Sequence, residues 1–246
     1  MISAIGIRNV RCGAKDAPGS LDGISLSVTE GQCLALCGPA GAGKATLLRL
    51  IARRTPPLSG AVCLFSRDIW LMSKDEAAGM VLPLSPAGPG LAGLTAGEIV
   101  GSAGRAGRPA SSPAAHPAVV HAALRQVGLG AMRDPAFGLL SAEDRLRVLV
   151  ARALVLRPRI VLLPGAAGAD ELGLQIALLG DLRDAGTTVV VTAERAGPAA
   201  ARVDRVVEMD RGRIVADSGA RPAAAAQFRQ VGTAAPDPGR QPVHGP

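Results

Sequence analysis

A glycine-rich segment near the N-terminus has the clearest chemical potential in the chain. GPAGAGKAT at 38–46 satisfies the pattern G-x-x-x-x-G-K. In such a segment the glycines let successive backbone N–H groups turn toward phosphate oxygens, and the lysine reaches the terminal phosphates. The segment therefore predicts a phosphate-binding loop at the start of a helix. Its candidate nucleotide-binding residues are Gly38, Gly41, Ala42, Gly43, Lys44, Ala45 and Thr46.

The position after the lysine departs from the complete motif. Ala45 stands where a Ser or Thr hydroxyl would ligate magnesium. Thr46 has a hydroxyl one residue later, but each helical residue is rotated by about 100° from the previous one. Thr46 therefore cannot simply replace the missing ligand. The loop predicts phosphate binding and leaves magnesium binding undecided.

The surrounding pattern supplies the elements that such a loop requires. The apolar run CLALC at 33–37 predicts a strand directly before the loop, and KATLLRLIARR after it repeats apolar residues at helical spacing. RIVLL at 159–163 and TTVVV at 187–191 predict buried strands, and RVVEMDRGRIV at 205–215 predicts a hairpin. Ser141 is the predicted N-cap of a helix over 141–155. Strands that alternate with helices predict an α/β fold with a mainly parallel sheet.

Composition narrows the classes of function. The 246 residues are 48% apolar but only 2% aromatic, which argues against surfaces that stack nucleic-acid bases on aromatic rings. The four cysteines form no C-x-x-C pair and the three histidines are not clustered, so we expect no zinc site and no disulfide scaffold. The N-terminus has no signal-peptide pattern and no apolar stretch reaches membrane-spanning length, which predicts a cytoplasmic chain.

Four segments in the same order resemble the ATP-binding subunit of an ABC transporter, over roughly residues 1–216. GPAGAGKATLLRLIA resembles that family's GPNGAGKSTLLRLIAG, and LSAEDRLRVLVARAL at 140–154 resembles its signature LSGGERQRVLIARAL. RPRIVLLPGAAGADE resembles PRLLLLDEPTSALD, and the stretch from GTTVVVTAE to DRGRIV resembles the closing stretch of that family. The resemblance implies a P-loop fold of the ABC type, with an N-terminal antiparallel β-portion and a helical subdomain near 85–157.

Several departures from the family pattern fall on positions that do its chemistry. Pro164 and Gly165 replace the Asp that holds magnesium and the Glu that polarises the attacking water. Ser141 is the signature residue that keeps its type. The other replacements are Cys12 for the adenine-stacking aromatic, Leu84 for the magnesium-sensing Gln, Ala142 and Glu143 for the signature glycines, and Ala193 for the His at the γ-phosphate.

These replacements predict weak ATP binding and negligible independent turnover, with no catalytic residue assigned. A missing general base costs roughly 10² to 10⁴ in rate, and lost metal coordination removes further transition-state stabilisation. Three alternatives stay open: a soluble regulatory pseudo-ATPase, a residual ATPase using a rearranged acid such as Glu171 or Glu194, and a copy with no selected activity.

The resemblance also implies partners and a location. A subunit of this family pairs with a membrane permease and with a second nucleotide-binding subunit, and it lies at the inner face of the cell membrane while the permease holds it. No nucleic-acid partner is expected. Residues 1–216 form the predicted nucleotide-binding domain, and 217–246 are predicted to be a disordered tail.

Overall fold

Strands and helices alternate along the chain in a computed structural model that describes residues 2–14, 17–85, 90–105, 115–130, 135–166 and 169–219. The predicted tail lies outside the described residues from 220 onward. In chain order the elements are β1 (Ser3–Cys12), β2 (Leu21–Thr29), β3 (Cys33–Cys37), α1 (Lys44–Ile51), β4 (Ser59–Leu64), β5 (Arg67–Asp68), α2 (Lys74–Met80), β6 (Val81–Pro83), α3 (Ala96–Gly101), α4 (Pro117–Gln126), α5 (Ala142–Leu156), β7 (Ile160–Ala166), α6 (Ala169–Leu178), α7 (Gly180–Asp184), β8 (Thr188–Ala193), β9 (Arg205–Asp210) and β10 (Arg213–Asp217).

Two sheets organise these strands. The N-terminal sheet is antiparallel, with the order β2-β1-β4-β5. The larger sheet has the order β10-β9-β3-β8-β7-β6, and every neighbouring pair in it is parallel except the hairpin of β9 and β10. This arrangement confirms the predicted ABC-type α/β fold with an antiparallel N-terminal portion.

The larger sheet has a hydrophobic core on each face, because successive strand residues point to opposite sides. Along β3, Cys33, Ala35 and Cys37 join the core that contains α3, α5 and α6. Leu34 and Leu36 join the other core, with α1 and the antiparallel sheet. Covered on both faces, β3 holds its C-terminal end, where the glycine loop begins, in a fixed position.

The helices follow the predictions with differences at their ends. The predicted α1 pattern runs to residue 54, but the helix ends at Ile51 and Arg53 adopts a left-handed conformation ahead of the two prolines at 56 and 57. Ser141 caps α5 as predicted. Helices α2, α6 and α7 were not predicted from the sequence, and Gly173 and Gly180 interrupt the apolar pattern of the last two. None of the described helices has the length and hydropathy needed to cross a bilayer.

Candidate nucleotide site

The glycine loop connects the end of β3 to the first turn of α1. Gly43 is the N-cap of α1, with φ +100°, and a Cβ built there would lie 2.7 Å from Leu21 Cδ2. A side chain is therefore excluded at this position on both backbone and steric grounds. No acidic residue occupies the first turn of α1, whose N–H groups have no acceptors within the helix. The N-terminus of α1 is thus open to an anion.

Four backbone hydrogen bonds to three distant segments hold the loop in shape. Gly38 N donates to the carbonyl oxygens of Ala193 and Glu194, both at 3.2 Å. Gly19 N donates to Gly41 O at 2.8 Å, and Gly212 N donates to Ala42 O at 3.1 Å. The sequence did not predict that Gly19 and Gly212 support the loop. The glycines themselves were the available signal, because both have a positive φ that favours glycine, and a Cβ built on Gly212 would lie 2.4 Å from Ser20 O.

The ammonium group of Lys44 lies against the predicted phosphate-binding loop. Its Nζ donates to Gly38 O, and also to Pro39 O at 2.8 Å. Burial lowers the pKa of Lys44 from its ordinary value, and the negative charge of Glu194 opposes that shift. The ammonium group is therefore held at the loop by two carbonyl oxygens that phosphate oxygens can replace.

The two residues after Lys44 point in different directions, as helical rotation predicts. Ala45 is exposed and has no hydroxyl group. Thr46 is only 8% exposed, and its hydroxyl accepts a hydrogen bond from Arg49 Nη2 at 3.1 Å. The Thr46 hydroxyl is engaged with its own helix, so it does not replace the missing ligand.

The end of β7 has no metal-binding group at either expected position. Pro164 and Gly165 supply no side-chain oxygen, and Gly165 N donates to Thr192 Oγ1 at 2.9 Å. Gly165 has φ +95°, and the pairing with β8 is irregular between Leu163 and Ala166. Among the described residues, no three His, Cys, Asp or Glu side chains come together as a metal site. The donor set therefore does not fit magnesium, whereas the loop amides and Lys44 fit a phosphate.

Three other replaced positions are part of the hydrophobic interior. Ala193 and Leu84 are each 1% exposed and belong to the core that contains α5. Cys12 is 3% exposed, and its Sγ lies 3.7 Å from Pro56 O. None of these side chains is available to stack on a base or to contact a phosphate from the surface.

The signature segment is engaged in capping its own helix. Ser141 Oγ accepts from Asp144 N at 3.0 Å and donates to Asp144 Oδ2 at 2.8 Å. The Glu143 carboxylate forms an ion pair with Arg147, and Arg147 Nη1 also donates to Val127 O at 3.1 Å. Glu143 lies in the first turn of α5, where a carboxylate complements the helix dipole. Its ion pair with Arg147 offsets part of the repulsion that this carboxylate would exert on a phosphate.

The two acids considered as substitutes for the missing base differ in position. Glu171 lies in the first turn of α6, where its Oε1 accepts from Gln175 Nε2 at 3.3 Å. Glu194 directly follows β8, and its main chain contacts Gly38 of the phosphate loop. The fold thus brings Glu194 to the loop, while the described side-chain partner of Glu171 lies within α6.

Comparison with known proteins identifies the family and supports the fold. The family model for ABC transporters matches residues 21–166. The hemin import ATP-binding protein HmuV of Rhodopseudomonas palustris is 37% identical over 209 residues, covering 80% of this chain and 76% of that protein. The lipoprotein-releasing system ATP-binding protein LolD of Anaeromyxobacter dehalogenans is 37% identical over 212 residues, covering 80% of this chain and 85% of that protein.

Solved structures show the same architecture. An ATP-binding cassette of an ABC transporter in its ADP conformation matches with a TM-score of 0.74 at 20% identity, covering 88% of this chain and 91% of that chain. That likeness concerns the fold, and the family model and the sequence relatives carry the assignment. The chain therefore belongs to the ATP-binding subunits of ABC transporters.

Proposed function

We propose that this chain is an ABC transporter subunit that binds nucleotide weakly and does not hydrolyse ATP by itself. The observation that carries the proposal is the contrast between the C-terminal ends of two strands, β3 and β7, at the same edge of the larger sheet. The end of β3 keeps a glycine loop, an open helix N-terminus and Lys44, whereas the end of β7 has Pro164 and Gly165. The first set binds phosphate and the second supplies neither a base nor a metal ligand.

The binding half of the site works through backbone geometry and one charge. The N–H groups of Gly43, Lys44, Ala45 and Thr46 at the start of α1 donate to phosphate oxygens, and Gly41 and Ala42 complete the turn. A phosphate that displaces Gly38 O and Pro39 O from Lys44 Nζ gains a charge-assisted hydrogen bond.

The weakness of binding follows from the adenine side of the site. The buried Cys12 provides no aromatic platform, and base stacking on an aromatic ring is worth about 1 to 3 kcal/mol. Without oxygen ligands at Ala45 and Pro164, magnesium adds little to this affinity.

Hydrolysis requires charges that this chain does not provide. Phosphoryl transfer depends on positioned charge and metal around the terminal phosphate, so the loss of both acids at the end of β7 removes the reaction and leaves binding. Ala193 adds to this loss, since a buried methyl group cannot contact the phosphate.

The names of the relatives guide the proposal on partners. They include ATP-binding proteins for hemin import, lipoprotein release and cobalt import. We propose that this chain likewise docks on a membrane permease through its helical subdomain near 85–157, peripheral to the inner face of the membrane. A second nucleotide-binding subunit, either another copy or a catalytically intact relative, would complete the assembly.

Titration calorimetry tests the binding half of the proposal. ATP is titrated into the wild-type protein in EDTA and in magnesium, and we expect affinities that differ by less than about tenfold, or about 1.4 kcal/mol. Lys44→Ala should abolish binding. Lys74→Ala is the matched control, because it removes an exposed lysine at the start of α2. A large magnesium-dependent gain in affinity would contradict the proposal.

A further inference from the structure

Glu194 occupies a position at the phosphate loop that the proposed function does not use. Its main-chain N donates to Ala166 O at 3.3 Å, at the end of β7, and its carbonyl oxygen accepts from Gly38 N at 3.2 Å. The main chain of Glu194 is thus fixed between the loop and the end of β7. Its side chain is exposed. The fold therefore places a carboxylate at the mouth of the phosphate-binding loop.

The negative charge of Glu194 interacts electrostatically with the positive charge of Lys44 at the phosphate-binding loop. Lys44 Nζ donates to Gly38 O, and Gly38 N in turn contacts the Glu194 carbonyl oxygen. The negative charge of Glu194 raises the pKa of Lys44, against the lowering caused by burial. Glu194 is therefore within electrostatic range of the ammonium group that binds the terminal phosphates.

The terminal phosphate of a triphosphate bound through Lys44 would approach Glu194, with no side-chain ligand for a metal between them. In a phosphate loop the backbone cradles the inner phosphates and the lysine reaches the outer ones. A third phosphate extends the ligand toward the region where Lys44 and Glu194 act on each other. Because Ala45, Pro164 and Gly165 offer no side-chain oxygen, no magnesium ion is held there to offset the like charges.

We propose that Glu194 makes this site selective for a nucleoside diphosphate over the corresponding triphosphate. A diphosphate keeps the contacts with the loop amides and Lys44, and it lacks the group closest to the carboxylate. A triphosphate gains no further backbone contact that would offset the repulsion. The inference rests on the proposed nucleotide site, and it adds a preference that the loop alone does not impose.

The size of the effect follows from charge separation near a protein surface. Two charges several ångströms apart in a medium of intermediate dielectric interact strongly enough to change affinity about three- to tenfold. Because the carboxylate is exposed, the preference should weaken as salt screens the charge. A steric origin would show no such salt dependence.

The test is titration calorimetry with ADP and ATP in EDTA at low and high ionic strength. Wild-type protein should bind ADP about three- to tenfold more tightly than ATP at low salt, and Glu194→Gln should bring the two affinities together. Asp184→Asn is the matched control, because it removes one exposed carboxylate ahead of β8, at the edge of the parallel sheet opposite the loop, and it should keep the wild-type ratio. Melting temperatures check that each variant is folded.

The outcomes separate this inference from the proposed function. Lys44-dependent binding with equal affinities for ADP and ATP in the wild type, or an equal change for both nucleotides in Glu194→Gln, refutes the selectivity and leaves the nucleotide site standing. A ratio that moves as much in Asp184→Asn as in Glu194→Gln also refutes it, because the effect is then one of net charge. Absence of any nucleotide binding refutes the site and the selectivity together.

Discussion

Placing a glutamate at the end of β7, at Gly165, tests the proposal that this site cannot hydrolyse ATP. Gly165 has φ +95°, and a Cβ built there meets nothing within 4 Å. Gly165→Glu therefore has room for its side chain but forces a non-glycine residue into a left-handed conformation. That conformation costs roughly 1 to 2 kcal/mol for a residue with a Cβ. We expect the free energy of unfolding to fall by about that amount.

The same variant should not hydrolyse ATP. It supplies a general base, but Pro164 still provides no magnesium ligand, and Ala193 still presents a buried methyl group. Phosphoryl transfer needs the metal and the positioned charges together, so one restored carboxylate leaves turnover at the level of a Lys44→Ala control. Phosphate release measured with ATP and magnesium checks this expectation.

Two further variants isolate the backbone contribution to stability. Gly165→Ala should lose about as much stability as Gly165→Glu, because both are forced into the same backbone conformation. Gly173→Ala is the control, since Gly173 lies within α6 with nothing near its Cβ, and there alanine should add about 0.5 to 1 kcal/mol. Chemical denaturation gives all three values. A Gly165→Glu protein as stable as the wild type would refute the backbone reasoning, and measurable turnover would refute the catalytic reasoning.

Two other predictions concern stability against pH and assembly. Hydrogen bonds from Arg205 lower the pKa of Asp217, so their contribution is present above the ordinary Asp pKa and is lost as pH falls through the lower folded-state value. Asp217→Asn should lower the free energy of unfolding by about 1 to 3 kcal/mol near pH 7 and by little in acid. Chemical denaturation at both pH values checks this, and a variant as stable as the wild type near pH 7 would contradict it. In light scattering with ATP in EDTA the wild type should stay monomeric. The double variant Ala142→Gly and Glu143→Gly should shift the protein toward a dimer. Loss of the ion pair with Arg147 should destabilise α5 slightly in that variant. A wild-type dimer that forms only with ATP would show that the signature segment still works.

The phosphate loop could be predicted from sequence because its determinants are contiguous. The apolar run of β3, the glycines after it and the helical spacing from Lys44 all lie between residues 33 and 51. Their effects on the backbone are local, so pattern alone identifies them. The cap of α5 at Ser141 is predictable for the same reason, because an N-cap hydroxyl bonds within its own first turn.

The consequences of the replaced residues depended on contacts between distant segments. The sequence shows that Gly165 has no carboxylate, but its left-handed conformation and its contact with Thr192 arise only where β7 meets β8. Ala193 is an ordinary residue in the sequence, and its burial comes from the core formed with α5 and α6.

Glu194 shows most directly what tertiary structure decided. From the sequence it was one of two acids that could act in place of the missing base. The parallel pairing of β3 with β8 brings it beside Gly38. Strand order in a parallel sheet is set by the packing of helices and crossovers, which bring together residues that the sequence separates. The sequence by itself therefore predicted which groups could bind phosphate, and the tertiary structure decided which acidic residue lies beside them.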